Sequence, residues 1–105
     1  MFGFGKKSLD NKILANILIE VGMFQSWTMD HKNKDLDIAE LNTVIRGIIS
    51  REKIKASEDE IYGIVSMCIM NTDLNKMEDF RVKTGFDRQV AGFCNSINLP
   101  SSYWR

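Results

Sequence analysis

The residue types most typical of a metal site follow position 32, where every second residue has an oxygen-bearing side chain. Asn33, Asp35 and Asp37 have the spacing with which a calcium-binding EF-hand loop begins. Such a loop needs a glycine at its sixth position and a bidentate glutamate at its twelfth. This chain has Ile38 and Val44 there instead. We therefore expect no metal site.

The other reactive side chains do not form a catalytic set. His31 is the only histidine, and no nucleophile lies beside it in the sequence, so we expect it at the surface. Cys68 and Cys94 fall in apolar helical runs without metal-binding spacing. This favours buried, reduced thiols, although a disulfide between them stays open. The sequence therefore predicts a protein that is not an enzyme and has no cofactor.

Two capping boxes define the centre of the chain. Asp37 and Ser57 are each followed three residues later by a glutamate that opens an apolar run. We therefore expect helices over about 38–52 and 58–70, joined by a short turn that makes them neighbours. Their apolar residues recur at helical spacing and should face the core: Ile38, Leu41, Val44, Ile45, Ile48 and Ile49 on the first helix, and Ile61, Ile64, Val65, Cys68 and Ile69 on the second.

Three further segments have helical periodicity. Ser8 is a candidate N-cap for a long amphipathic helix that reaches about Trp27, followed by a polar loop at 28–36. A weaker apolar stripe at 74–84 predicts a fourth helix. Asp87 is a candidate N-cap for a fifth.

Length and composition agree with one folded domain. The chain has 105 residues, of which 44% are hydrophobic, and it contains a single proline. We expect an all-α protein: a single compact bundle of four to five helices with a central antiparallel helix pair. The bundle should comprise residues 8–105 and follow a flexible arm of residues 1–7, whose two glycines break any periodicity.

One short segment resembles a known family. Residues 35–41 read Asp-Leu-Asp-Ile-Ala-Glu-Leu, and they follow one predicted helix and open another. This segment is similar to the short acidic motif of the tellurite-resistance TerB-like helical domains. It departs from that motif where Leu36 replaces the usual glycine after the first aspartate. The resemblance implies a helical fold, and a TerB-like domain is one alternative for the function.

The charge pattern restricts the partners. Fourteen basic and fourteen acidic residues give no net charge, so no global field attracts nucleic acid. The 58–70 helix opens with Glu58, Asp59 and Glu60, which would repel phosphates if it were a DNA-recognition helix. The N-terminus lacks the apolar core of a signal peptide, and no apolar run could span a bilayer. We therefore expect a cytoplasmic protein, and the charge pattern disfavours nucleic acid as its partner.

The aromatic residues at the two chain ends are the candidate partner contacts: Phe2 and Phe4 in the arm, and Tyr103 and Trp104 in the tail. Large aromatics at chain ends are expected to pack on the bundle or on another chain. We therefore expect a small protein-interaction or accessory module that binds a protein partner or self-associates. Peripheral membrane contact through the arm, next to Lys6 and Lys7, stays open. The alternatives are a regulatory domain that binds a small apolar ligand between its helices, and a nucleic-acid-associated helical domain.

Overall fold

The computed structural model describes residues 6–70 and 86–104. For residues 86–89 it describes the backbone alone. Within these ranges the protein is a compact all-α bundle, as predicted. None of the described helices is both long and apolar enough to cross a bilayer. The elements are β1 (Lys7–Ser8), α1 (Asn11–Lys32), α2 (Ile38–Arg51), β2 (Ile54–Lys55), α3 (Glu58–Met70), α4 (Phe86–Ser96) and a final 3-10 helix (Ser101–Tyr103).

The predicted central pair is α2 and α3, which lie antiparallel, and both capping boxes are confirmed. The Asp37 carboxylate accepts a hydrogen bond from the Glu40 N–H at 2.8 Å, and the Glu40 carboxylate accepts one from the Asp37 N–H at 2.9 Å. Ser57 and Glu60 make the equivalent bonds at 3.1 and 2.8 Å. Because each box satisfies backbone donors that the helix itself leaves unpaired, both helices begin where the sequence predicted.

The first helix begins later than predicted. Ser8 does not cap it but lies in β1, and the N-cap is Asp10, whose carboxylate accepts a hydrogen bond from the Ile13 N–H at 2.8 Å. Aspartate satisfies this N–H with a charged oxygen and favours the positive end of the helix dipole. The helix therefore starts at Asn11.

The same helix also ends later than predicted, since the loop expected from position 28 is helical as far as Lys32. Thr28 is only 1% exposed, and its hydroxyl donates to the Phe24 carbonyl at 2.8 Å. Because the side of α1 that contains Thr28 is buried, the helix continues although the sequence there is polar. It ends at Asn33, which adopts the left-handed conformation (φ 53°) that asparagine tolerates at a helix end.

A two-stranded parallel sheet ties the N-terminal segment to the α2–α3 joint. Lys7 pairs with Ile54, and Ser8 pairs with Lys55. The Lys7 N–H also donates to the Lys53 carbonyl at 2.9 Å. Lys7 was assigned to the flexible arm, but here it is held by backbone hydrogen bonds. Lys6 is exposed, and residues 1–5 of that arm lie outside the described residues.

Two isoleucines predicted to face the core are exposed. Ile38 is the first residue of α2, at the surface beside its cap. Ile69 is 43% exposed because it lies two turns after Tyr62 and shares the outward side of α3 with it. The remaining predicted core positions of both helices are buried: Leu41, Val44, Ile45, Ile48, Ile49, Ile61, Ile64, Val65 and Cys68.

The C-terminal helix packs its predicted apolar face into the same core. Val90, Phe93, Cys94 and Ile97 are all buried. Asp87 lies within α4, not before it, because α4 includes Phe86. The predicted helix over 74–84 lies outside the described residues.

Candidate interaction surfaces

The tail aromatics predicted as partner contacts lie against the bundle. Tyr103 and Trp104 are half-buried and pack on the hydrophobic core. The Lys32 ammonium at the end of α1 donates to the Ser102 carbonyl at 2.8 Å, which fixes the 3-10 helix beside α1. Phe2 and Phe4 lie outside the described residues. Tyr103 and Trp104 therefore expose only part of their surface to a partner.

A larger apolar surface lies on α3. Among the described residues six large hydrophobic side chains are exposed, and four of them belong to this helix. Tyr62 is 73% exposed and Met70 is 79% exposed. Their spacing of eight residues places them on the same side of the helix, opposite the buried residues. We call this surface the α3 outer face; it comprises Tyr62, Ile69 and Met70, with Met67 beside Met70 at its edge.

The composition of α3 explains why this face is apolar. A helix at the surface of a globular protein normally has charged residues opposite its buried stripe. Here the last charged residue is Glu60, and residues 61–70 contain none. The sequence analysis assigned Ile69 to the core and did not place Tyr62 on an exposed face of α3. The uncharged run is the signal that could have found them.

In the acidic stretch after α1, two side chains cap helices. Asn33 is the C-cap of α1, and Asp37 is the N-cap of α2. Lys34 donates to both Glu40 carboxylate oxygens at 2.8 and 2.9 Å, which raises the pKa of Lys34.

The His31 imidazole stacks on Trp27, with ring centroids 4.5 Å apart. In the part of the chain that the structure describes, no three metal-ligating side chains converge. Whether the protein binds a metal stays a prediction.

The described residues also line clefts of about 320–370 Å³ at four places. Each includes charged side chains, so none matches the apolar cavity that the small-ligand alternative requires; that alternative stays a prediction. One cleft, at the α2–α3 joint, has four cations and no carboxylate among the described residues that line it. We call it the basic cleft; its cations are Lys6, Arg46, Lys53 and Lys55.

The two cysteines are buried, as predicted, and no disulfide joins them. Burial raises the pKa of Cys68 to about 11. Burial also raises the pKa of Cys94 to about 12, against a smaller opposing effect of the Lys32 charge. Because the thiolate is the reactive form, neither thiol is activated for nucleophilic chemistry.

We expect both native thiols to resist alkylation at pH 8. With the pKa raised from its ordinary ~8.5, the thiolate fraction falls at least about a hundredfold. Iodoacetamide labelling followed by mass spectrometry should therefore be at least about a hundredfold slower in buffer than in urea. Rapid labelling of either cysteine in the folded protein would contradict its burial.

Comparison with known proteins finds no match: no family model fits the chain, and no curated protein or solved structure is similar to it. The function must therefore be argued from the surfaces described above.

Proposed function

We propose that this protein is a small non-enzymatic interaction module that binds a protein partner, or a second copy of itself, through the α3 outer face. The observation that carries this proposal is the exposure of Tyr62 and Met70 on a helix whose inner face is in the core. We place the module in the cytoplasm, in keeping with the two cysteines that no disulfide joins.

The residue types on this face suit a binding surface. Tyrosine and methionine are enriched in interfaces, where tyrosine buries a large ring and keeps a polar tip. Methionine adapts its flexible side chain to the partner. The face follows the cluster Glu58, Asp59 and Glu60, which would form a polar rim at one end. An apolar helix of a partner is the simplest complement, because its side chains can interdigitate with those of α3.

The test replaces both exposed anchors, in a Tyr62→Gln/Met70→Gln variant. Co-purification of the full chain from its own cells identifies a partner, and sedimentation equilibrium measures self-association. We expect the double variant to weaken the association at least about thirtyfold, as loss of central interface residues does. Its free energy of unfolding should change by less than about 1 kcal/mol, because both side chains are exposed.

Ile38→Gln is the matched control, because Ile38 is an exposed apolar residue on α2 and lies outside the α3 outer face. It should leave the association unchanged. A strict monomer that co-purifies with no protein, or an association that survives the double variant, would refute the proposal.

A further inference from the structure

The basic cleft concentrates positive charge in a chain that has no net charge. Lys6, Lys53 and Lys55 have no ion-pair partner among the described residues. Arg46 is different, because it donates two hydrogen bonds to Glu58 and is thereby neutralised. These bonds lower the pKa of Glu58, so that carboxylate stays ionised. Three uncompensated lysines therefore surround one cleft.

Backbone structure holds Lys6 beside Lys53 and Lys55, from which it is far apart in sequence. Lys6 directly precedes β1, while Lys55 lies in β2, its parallel partner. Lys53 occupies the left-handed region (φ 56°), and its carbonyl accepts the hydrogen bond from the Lys7 N–H. The cluster is thus fixed by the β1–β2 pair.

The floor of the cleft is apolar, whereas its rim is cationic. Ile49, Ile54 and Ile61 line it beneath the charged side chains, and all three are nearly buried. Its volume of about 330 Å³ suits a small anionic group. Among the residues that the structure describes, no aromatic side chain lines the cleft, so this part of the lining lacks the stacking surface with which proteins bind single-stranded nucleic acid.

We propose that the basic cleft binds the phosphate headgroups of an anionic phospholipid bilayer. Clustered lysines bind the anionic membrane surface, and this attraction acts only within about a Debye length. In the sequence Phe2 and Phe4 lie four and two residues before Lys6, and aromatic residues favour the membrane interface. The proposal does not depend on the α3 outer face, so it can fail while the proposed function holds.

Co-sedimentation of the full chain with vesicles tests this proposal. We expect binding to phosphatidylserine–phosphatidylcholine vesicles, much weaker binding to phosphatidylcholine alone, and loss of binding at high salt. Each lysine near such a surface strengthens partitioning about fivefold, so Lys55→Gln should weaken it by that factor. The triple variant Lys6→Gln/Lys53→Asn/Lys55→Gln should weaken it about a hundredfold. Asparagine is chosen at position 53 because it tolerates the left-handed conformation.

Lys12→Gln is the control, because Lys12 is exposed on α1 and does not line the cleft. It should change partitioning less than about twofold, since screening limits the attraction to charges near the surface. Helical circular dichroism checks that each variant is folded. Equal binding by the triple variant, no preference for anionic vesicles, or capture of an acidic protein without any vesicle binding would overturn the proposal.

Discussion

Replacing Phe24 by alanine should lower the free energy of unfolding by about 3–5 kcal/mol, the usual cost of removing a buried aromatic ring. Phe24 is fully buried in α1. Its ring centroid lies 5.8 Å from that of Phe93 in α4 and 6.1 Å from that of Trp27. Since small domains are stable by only about 5–15 kcal/mol, this single change would remove a large share of the total.

Urea denaturation followed by circular dichroism measures the effect of Phe24→Ala, with an unchanged slope showing that the two-state transition is kept. Tyr62→Ala is the matched control, because it removes an aromatic ring that is 73% exposed. We expect the control to cost less than about 1 kcal/mol. A cost of similar size for both variants would show that the Phe24 ring is not enclosed between α1 and α4.

The parts of the fold that the sequence predicts well depend on local interactions. Both capping boxes act over three residues, and the apolar spacing of α2 and α3 is read within a few turns. These two helices accordingly begin at the predicted residues, Ile38 and Glu58. The end of α1 was missed because its helical form depends on the burial of Thr28, which the polar local sequence does not reveal.

The candidate surfaces were harder to predict because they depend on contacts between distant segments. In the sequence Lys53 and Lys55 follow the end of α2, where cations ordinarily complement the helix dipole, so they do not indicate a binding site. Lys6 joins them only through the β1–β2 pair, and strands of two residues leave no periodicity to detect. The uncharged run at 61–70 indicates an apolar helix, but it does not show that Tyr62 and Met70 are the exposed residues until the buried side of α3 is known.

Gly47 in α2 lies close to Ile97, the residue that follows α4, and replacing it by alanine should have the opposite effect on stability from the same change at Gly63. A Cβ added at Gly47 would lie 2.9 Å from the Ile97 Cβ and 3.2 Å from the Ile97 carbonyl oxygen. Both atoms are fixed to the backbone, so no rotamer change can relieve the overlap. At Gly63 in α3 an added Cβ meets nothing within 4 Å.

We expect Gly47→Ala to destabilise the protein by about 1–2 kcal/mol, because overpacking outweighs the gain in helix propensity. Gly63→Ala should instead stabilise it by about 0.5–1 kcal/mol, because only the propensity gain remains. Urea denaturation of the two variants and of the unmodified protein measures the sign of each change in the free energy of unfolding. Gly92→Ala, at a second open position, should behave like Gly63→Ala. If all three alanines stabilised the protein equally, α2 could not lie as close to Ile97 as described, and the position of the residues that follow α4 would have to be revised.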